Sequence, residues 1–392
     1  MSCGPRRFPV PLDPIPHHWR ERLQRANQER CSRSRNRSIL QPIGLDFCSN
    51  DYLGLRCDSR LAEASAQAAQ AWGSGSGGAR LLRGTTHLHD ALEQELALWK
   101  GMESCLLFNT GFQCNTTVIP ALLRPGDAVF SDALNHASLV DGCRAAKNRG
   151  AHLGIFRHLD LKDLETQIVN WRSQTPYSGL ALVVTDAVFS MDGDAANLPE
   201  LLALCERHHA LLMVDEAHAS GLLGATGAGL AEHQAVKGRI PLLMGTLGKA
   251  LGSFGAFVAC DQALRDELVN TCRGFIFSTA LPPPSVGASL AALTIAQTEP
   301  WRRSRALAHA AHLRAGLGLP PAPSAIVPVV IGADAEALQV AQALQNQGFD
   351  VRAVRPPTVP EGTARLRITT GCHLEENQID ALIQALKGRM SV

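Results

Sequence analysis

Seven short apolar segments recur between residues 104 and 260: "SCLLF" (104–108), "DAVFSD" (127–132), "AHLGIF" (151–156), "ALVVTDAVFS" (181–190), "ALLMVDEAH" (210–218), "PLLMGTLG" (241–248) and "GAFVAC" (255–260). They are Leu-rich or β-branched, and most do not alternate apolar with polar residues. A strand with one wet face alternates with period two, whereas a strand covered on both faces does not. Amphipathic stretches such as "LPELLALCERHH" (198–209) lie between several of them. Buried strands alternating with helices restrict the chain to the α/β class, with a mostly parallel sheet and helices on both faces. Such a sheet needs abundant apolar side chains, and 45% of the 392 residues are apolar against 19% charged.

The rhythm differs at both ends. Residues 1–55 read as an Arg-rich, Pro-punctuated arm, with one helical stretch in "HHWRERLQRANQER". Residues 56–290 hold the large domain, and residues 291–392 a small C-terminal α+β domain. In the latter, "AIVPVVIG" (325–332), "DVRAV" (350–354) and "ARLRITT" (364–370) are expected strands, with helices over about 334–347 and 375–388. The N-terminus shows no apolar core of the kind a signal peptide has. The uncharged stretch from Gly274 to Thr298 is interrupted by Pro282, Pro283 and Pro284 and diluted by Ser, Thr and Gln, so no membrane span is expected. A net charge of +1 gives no reason to expect nucleic acid or an anionic membrane as partner. The 11 cysteines form no C-x-x-C pair, which argues against zinc or any other metal site and for reduced thiols in a cytoplasmic protein.

Two glycine-rich segments imitate nucleotide sites. "GSGSGG" (73–78) matches G-x-G-x-x-G, but the dinucleotide fingerprint must follow a strand, and "SRLAEASAQAAQAW" before it reads as a helix. "GTLGKA" lacks the first Walker glycine, since Leu243 stands there, and has Ala250 where a magnesium-binding hydroxyl is required. Lys249 therefore needs another explanation: a solvated loop residue, or an amine that reacts.

The ends of the apolar segments decide between these. Asp215 and His218 follow "ALLMV", His136 follows "DAVFSD", Ser190 closes another segment, and Gly111 and Phe112 follow "CLLF". Ligands of open α/β sheets bind outside the carboxyl ends of the strands, so these groups can meet Lys249 in one crevice. A lysine amine bonds a carbonyl, and pyridoxal phosphate offers one, together with a ring nitrogen, a phenolic oxygen and a phosphate. Asp215 suits the ring nitrogen, His218 the phenolic oxygen, and His136 the ring face. Backbone N–H groups at Gly111 and Phe112, opening a helix, suit the phosphate. Ser190, Thr246 and Thr279 add hydroxyl donors. Singly, each has a plainer reading: Asp215 as a helix cap, the histidines as ordinary packed residues, Ser190 as a turn residue.

Longer motifs extend the pattern: "FCSNDYLGL" (47–55), "GSGSGGARLLRGTTHLHDALEQELA" (73–97), "LFNTGFQCN" (107–115), "DALNHASLVDG" (132–142), "VFSMDGD" (188–194), "VDEAHASGLLG" (214–224), "GTLGKALG" (245–252) and "FSTALPP" (277–283). Through them the chain resembles the α-oxoamine synthases, a subfamily of the fold-type I pyridoxal phosphate enzymes. The resemblance implies the fold-type I architecture and a homodimer with active sites at its interface. It implies that Lys249 bonds the cofactor, Asp215 pairs its ring nitrogen, His218 contacts its phenolic oxygen and His136 stacks on the ring. Gly111, Phe112, Ser190 and Thr246 would line the cofactor pocket, and Ser278 and Thr279 would reach the neighbouring subunit's phosphate. Arg367 resembles the arginine that binds the amino-acid carboxylate. Asn50, Thr358 and an N-terminal arginine, taken as Arg33, resemble substrate contacts. Within the subfamily, "RPPTVPEGTARLRIT" (355–369) is most like members that condense L-alanine with a pimeloyl thioester, carried on coenzyme A or acyl carrier protein. Sister enzymes that use glycine, such as 2-amino-3-oxobutyrate CoA ligase and 5-aminolevulinate synthase, are the nearest alternative. A catalytically dead subunit of a heterodimer is the remote one, and it would be marked by loss of the lysine.

Overall fold

The computed structural model describes residues 15–37, 39, 41–174 and 179–389. Its strands, in chain order, are β1 (Leu45–Asp46), β2 (Ser104–Phe108), β3 (Ala128–Asp132), β4 (His152–Phe156), β5 (Ala181–Asp186), β6 (Ala210–Asp215), β7 (Leu242–Thr246), β8 (Ala256–Cys260), β9 (Ile326–Gly332), β10 (Phe349–Asp350), β11 (Arg352–Val354) and β12 (Ala364–Thr369). The seven expected apolar segments form one seven-stranded sheet in the order β2-β8-β7-β6-β5-β3-β4. Neighbours from β7 to β4 run parallel, and β8 lies antiparallel between β2 and β7.

Both faces of this sheet are covered, as the non-alternating sequence requires. Along β2, Cys105 and Leu107 enter one apolar cluster and Leu106 and Phe108 another; along β6, Leu212 and Val214 part from Met213 in the same way. Each fully buried aliphatic side chain contributes about 1.5–3 kcal/mol, so solvating either face would cost more than a domain's net stability. From β3 the chain goes to β4 on one side and then to β5 on the other. That reversal opens a crevice at the carboxyl ends of β3 and β5, beside those of β6 and β7.

The described chain falls into two compact units. Among the described residues, the larger holds 47–328 and 367–389, and the smaller 15–46 with 329–366. The sequence suggests boundaries near 55 and 290, but residue 290 falls inside the helix Pro283–Thr298. That helix belongs to the larger unit and packs on the helix Ser59–Trp72, where a side chain at Gly287 would stand 2.8 Å from the carbonyl oxygen of Ala64. The chain passes between the units three times, directly after β1, inside β9 and inside β12. Within the smaller unit β1 pairs parallel with β10, and Arg35 bridges Asp334 at 3.3 Å and Glu361 at 2.5 Å. Among the described residues no helix is long and apolar enough to cross a membrane, and no cluster of potential metal ligands is found.

Candidate active site

Four carboxyl ends of the sheet place the site in the larger unit. β6 ends on Asp215, and the turn that follows brings His218 back over it. β7 ends on Thr246, and Lys249 lies in the next turn, closed by a 2.9 Å hydrogen bond from Gly252 N to Lys249 O. His136 follows β3 and caps the helix Ala137–Asn148, its Nδ1 accepting from Ser138 N at 3.2 Å. After β2, the helix Gly111–Leu122 starts so close to β7 that a side chain at Gly111 would stand 2.6 Å from Met244 Cε. Of the residues expected from the sequence, Lys249, Asp215, His218, His136, Gly111, Phe112 and Thr246 line one cavity of about 160 Å³.

Hydrogen bonds fix the groups at its floor. Asp215 is buried; its Oδ1 accepts from Ala217 N at 2.8 Å and its Oδ2 from Asn115 Nδ2 at 2.7 Å. The plainer reading of Asp215 is a helix cap, but a turn follows it, and its bond to Ala217 N occupies only one oxygen. Lys249 Nζ lies 2.9 Å from His218 Nε2. Burial lowers the Lys249 amine to about 8, against the opposing pull of Asp215 and Asp186. Burial also pushes His218 well below the ordinary histidine range, and the Lys249 cation adds to this. The imidazole is therefore neutral at physiological pH. Beneath the turn, buried Lys100 reaches Glu216 at 2.6 Å and Ser220 at 2.7 Å, anchoring the segment between Asp215 and His218.

This donor set fits pyridoxal phosphate. A reactive amine, a buried carboxylate held by two donors, a neutral imidazole and a helix N-terminus at Gly111 and Phe112 match its aldehyde, ring nitrogen, phenolic oxygen and phosphate.

Other expected residues lie elsewhere. Ser190 offers its carbonyl oxygen, at 2.5 Å, to Arg367 Nε. Arg367 also donates to Asn50 Oδ1 at 3.0 Å. Arg365 and Arg367 are 5% and 9% exposed, so β12 presents no solvated basic face. Ser278 and Thr279 line a small separate pocket with Arg80 and Asn109, where Gln113 Nε2 donates to Ser278 Oγ. In the smaller unit, Arg33 pairs with Glu29 at 3.3 Å on its own helix turn, while Arg37 Nη2 donates to Thr358 Oγ1 at 2.9 Å. Arg33, expected from the sequence as a substrate contact, thus pairs within its own helix, and the arginine that meets Thr358 is Arg37. The helix His17–Ser32 ends at Ser32, leaving Arg33 beside its i−4 partner, and the chain must run four residues further to reach Thr358.

Sequence reasoning missed two cavity groups, Asp186 and Ser138, and a third residue, Tyr52, that touches the cavity's His218. Asp186 sits in register with Asp215 on the neighbouring strand, and its Oδ2 accepts from His136 N at 2.7 Å. Burial raises its carboxyl well above the usual range, and the Asp215 charge adds to this. The parallel endings "VVTD" and "LMVD" were the available signal. Ser138 hydrogen-bonds both His136 and Asn115. Tyr52, buried in "FCSNDYLGL", reaches His218.

A second polar cluster braces the segment that carries Ser190. His158 lies 2.9 Å from Asp132 and 2.8 Å from Asp194. Burial opposes its charge, but the two carboxylates outweigh burial and raise the imidazolium to about 9. A histidine raised from about 6.5 contributes stability that is complete below the unfolded value and lost as pH rises through the folded one. Relative to His158→Gln, the wild type is expected to gain roughly 1–3 kcal/mol at pH 6, a gain that disappears by about pH 9. Urea unfolding of both proteins across that range measures it, and a pH-independent difference would refute the charged bridge.

Comparison with known proteins follows from this geometry. The sequence profile of the family "Aminotransferase class I and II" matches residues 42–386. An 8-amino-7-oxononanoate synthase of Anaeromyxobacter dehalogenans is 50% identical over 369 residues, 89% of this chain and 91% of the relative. One from Cellvibrio japonicus is 43% identical over 391 residues, 95% and 96% of the two chains. Among solved structures, a serine palmitoyltransferase of S. paucimobilis carrying a pyridoxal phosphate–myriocin adduct superposes with a TM-score of 0.85 at 29% identity, covering 94% of this chain and 96% of that one. An 8-amino-7-oxononanoate synthase of Francisella tularensis superposes with a TM-score of 0.74 at 25% identity, covering 88% and 96%.

Proposed function

We infer the activity from one premise: the chain belongs to the aminotransferase class I and II family and, within it, to the 8-amino-7-oxononanoate synthases. It is a pyridoxal phosphate enzyme of the acyltransferase type, and it serves biotin biosynthesis by a decarboxylative condensation. The substrates we propose are L-alanine and a pimeloyl thioester of coenzyme A or acyl carrier protein. The products are 8-amino-7-oxononanoate, carbon dioxide and the free thiol. The observation that carries this reading is the convergence, in one cavity, of the Lys249 amine with the doubly hydrogen-bonded Asp215 carboxylate.

Bound pyridoxal phosphate supplies an aldehyde for amines and, with its ring nitrogen protonated, an electron sink for the substrate's Cα. Asp215 holds that ring proton, and its two donors keep the carboxylate oriented. Lys249 Nζ, lowered to about 8, is the amine that would hold the aldehyde carbon, and its neutral form near neutrality would serve as the base for the Cα proton of alanine. His136, exposed at the cavity mouth, would pack against the cofactor ring and would donate to the thioester oxygen. Gly111 and Phe112 bind the phosphate through backbone N–H groups, and Thr246 lines the same wall. Ser278 and Thr279 serve the phosphate of a second subunit. The exposed Leu82 and Phe277, at 84% and 68%, support a homodimer; light scattering that reports a monomer would overturn it. Arg37 and Thr358 form the acyl-substrate contact, and Asn50 adds a substrate contact beside Arg367.

Purified protein loaded with pyridoxal phosphate is expected to release 8-amino-7-oxononanoate from L-alanine and pimeloyl thioester, read by mass spectrometry. Turnover of glycine with a shorter acyl thioester, and none with alanine, would favour the glycine-using sister enzymes. A protein that binds no cofactor would favour the dead-subunit reading, which the presence of Lys249 opposes.

Arg367 tests the carboxylate subsite. Its guanidinium forms a bidentate pair with the carboxylate of alanine, which a lysine ammonium cannot reproduce. Arg367→Lys is expected to raise the KM for alanine about ten- to a hundredfold, the equivalent of roughly 1.5–3 kcal/mol for a charge-assisted hydrogen bond. Arg365→Lys, on the same face of β12, is expected to leave KM unchanged. The opposite pattern would move the subsite to Arg365, and no effect from either would remove it from β12.

A further inference from the structure

The Tyr52 hydroxyl stands in a chain of hydrogen bonds that the assigned roles do not explain. Lys249 Nζ lies 2.9 Å from His218 Nε2, and His218 Nδ1 lies 2.7 Å from the Tyr52 hydroxyl. That hydroxyl lies 3.1 Å from Asn50 Oδ1, which also accepts from Arg367 Nη2 at 3.0 Å. Tyr52 and His218 are 1% and 5% exposed, so partners within the protein must satisfy them.

Donor capacity fixes the direction of the chain. A guanidinium only donates, so the Asn50 atom facing Arg367 is the carbonyl oxygen, an acceptor. As an ammonium, Lys249 also only donates, so His218 Nε2 presents its lone pair and Nδ1 carries the ring proton. Nδ1–H then donates to the Tyr52 oxygen, and the single hydroxyl proton goes to Asn50. Each of the four contacts then has one donor and one acceptor. An acceptor placed at Nε2 demands the reverse: Nε2–H, a bare Nδ1, and Tyr52 donating to Nδ1. The ring holds one proton in both states. Asn50 Oδ1 keeps Arg367 when the hydroxyl turns away, so the rotation orphans no acceptor.

We propose that Tyr52 is a positioning residue whose hydroxyl rotates between Asn50 and His218 Nδ1, and so sets which imidazole nitrogen carries the proton. The inference rests on the proposed cofactor chemistry, because the phenolic oxygen of pyridoxal phosphate is the acceptor that requires Nε2–H. Lys249, Arg367 and His136 also face His218 and disfavour a doubly protonated ring, so the response is a change of tautomer and not of charge.

Tyr52→Phe keeps the ring and removes only the hydroxyl. His218 Nδ1 then has no donor, and the Nε2–H state becomes costlier. A phenolic oxygen with a weaker donor holds a neighbouring proton more tightly. The pH midpoint of the visible absorbance of the cofactor-loaded protein is therefore expected to rise by about one unit. An unchanged midpoint overturns the proposal while leaving the cofactor assignment intact; a wild type with no visible band overturns both. Nitrogen-15 NMR of histidine-labelled wild type, with the His218 signal identified by its loss in His218→Gln, gives a reading that does not need the variant to fold. Below pH 8 the cofactor-free protein is expected to show Nδ1–H and the loaded protein Nε2–H, since the Lys249 amine is lowered only to about 8. The same tautomer in both overturns the proposal.

Discussion

Lys249→Ala is expected to abolish turnover, with a loss of at least about 10⁴-fold, while the protein stays folded. General acid–base catalysis alone contributes roughly 10²–10⁴-fold, and this side chain also forms the bond to the cofactor. The removed amine lies in a cavity, not in a packed core, and its recorded partner is His218 Nε2. Its loss therefore leaves no large apolar void. Borohydride treatment followed by mass spectrometry should place the pyridoxyl adduct on Lys249 in the wild type and nowhere in the variant. An adduct on another lysine of the wild type would remove Lys249 from its role.

Asp215→Asn is expected to slow the exchange of the alanine α-proton about 10³-fold, on the scale of losing one preorganised electrostatic contact. The carboxylate oxygens accept from Ala217 N and Asn115 Nδ2, and an amide offers only one oxygen to those two donors. One donor must then face an NH₂ group, so the variant is also expected to lose about 1–3 kcal/mol of stability. Asn115→Leu separates the two effects. It removes the Asn115 donor and leaves the Asp215 negative charge in place. If exchange falls equally in both variants, orientation matters more than charge; if Asp215→Asn exchanges at the wild-type rate, Asp215 does not meet the ring nitrogen.

The sheet was legible because burial on both faces writes itself into sequence as continuous apolar runs. One run misled: "ALVVTDAVFS" suggests a strand through Ser190, but β5 ends at Asp186. Val188 and Phe189 are apolar because they pack inside a turn, which Phe189 N closes on Asp194 O at 3.0 Å. Lys249, Asp215, His218 and His136 could be read because each follows an apolar run directly. Tyr52 could not: its hydroxyl partner His218 lies 166 residues away, and nothing local distinguishes it from a core tyrosine. The units were illegible for a related reason, since the chain changes unit in mid-strand, where composition does not shift.

That mid-strand crossing has a consequence for how the polypeptide is made. Leu45 pairs with Phe349, so the N-terminal half of the smaller unit meets its partner only after about 300 further residues have been added. At elongation rates of roughly 5–20 residues per second, this is a wait of about 15–60 s. During it the larger unit has its whole seven-stranded sheet available to fold, but its last strand segment and final helix are still to come. The emerging arm's helix His17–Ser32 has no buried residue even in the folded protein, so waiting leaves that helix no more exposed than it ends. A nascent chain arrested after Pro328 is therefore expected to carry a protected sheet and a protease-sensitive arm.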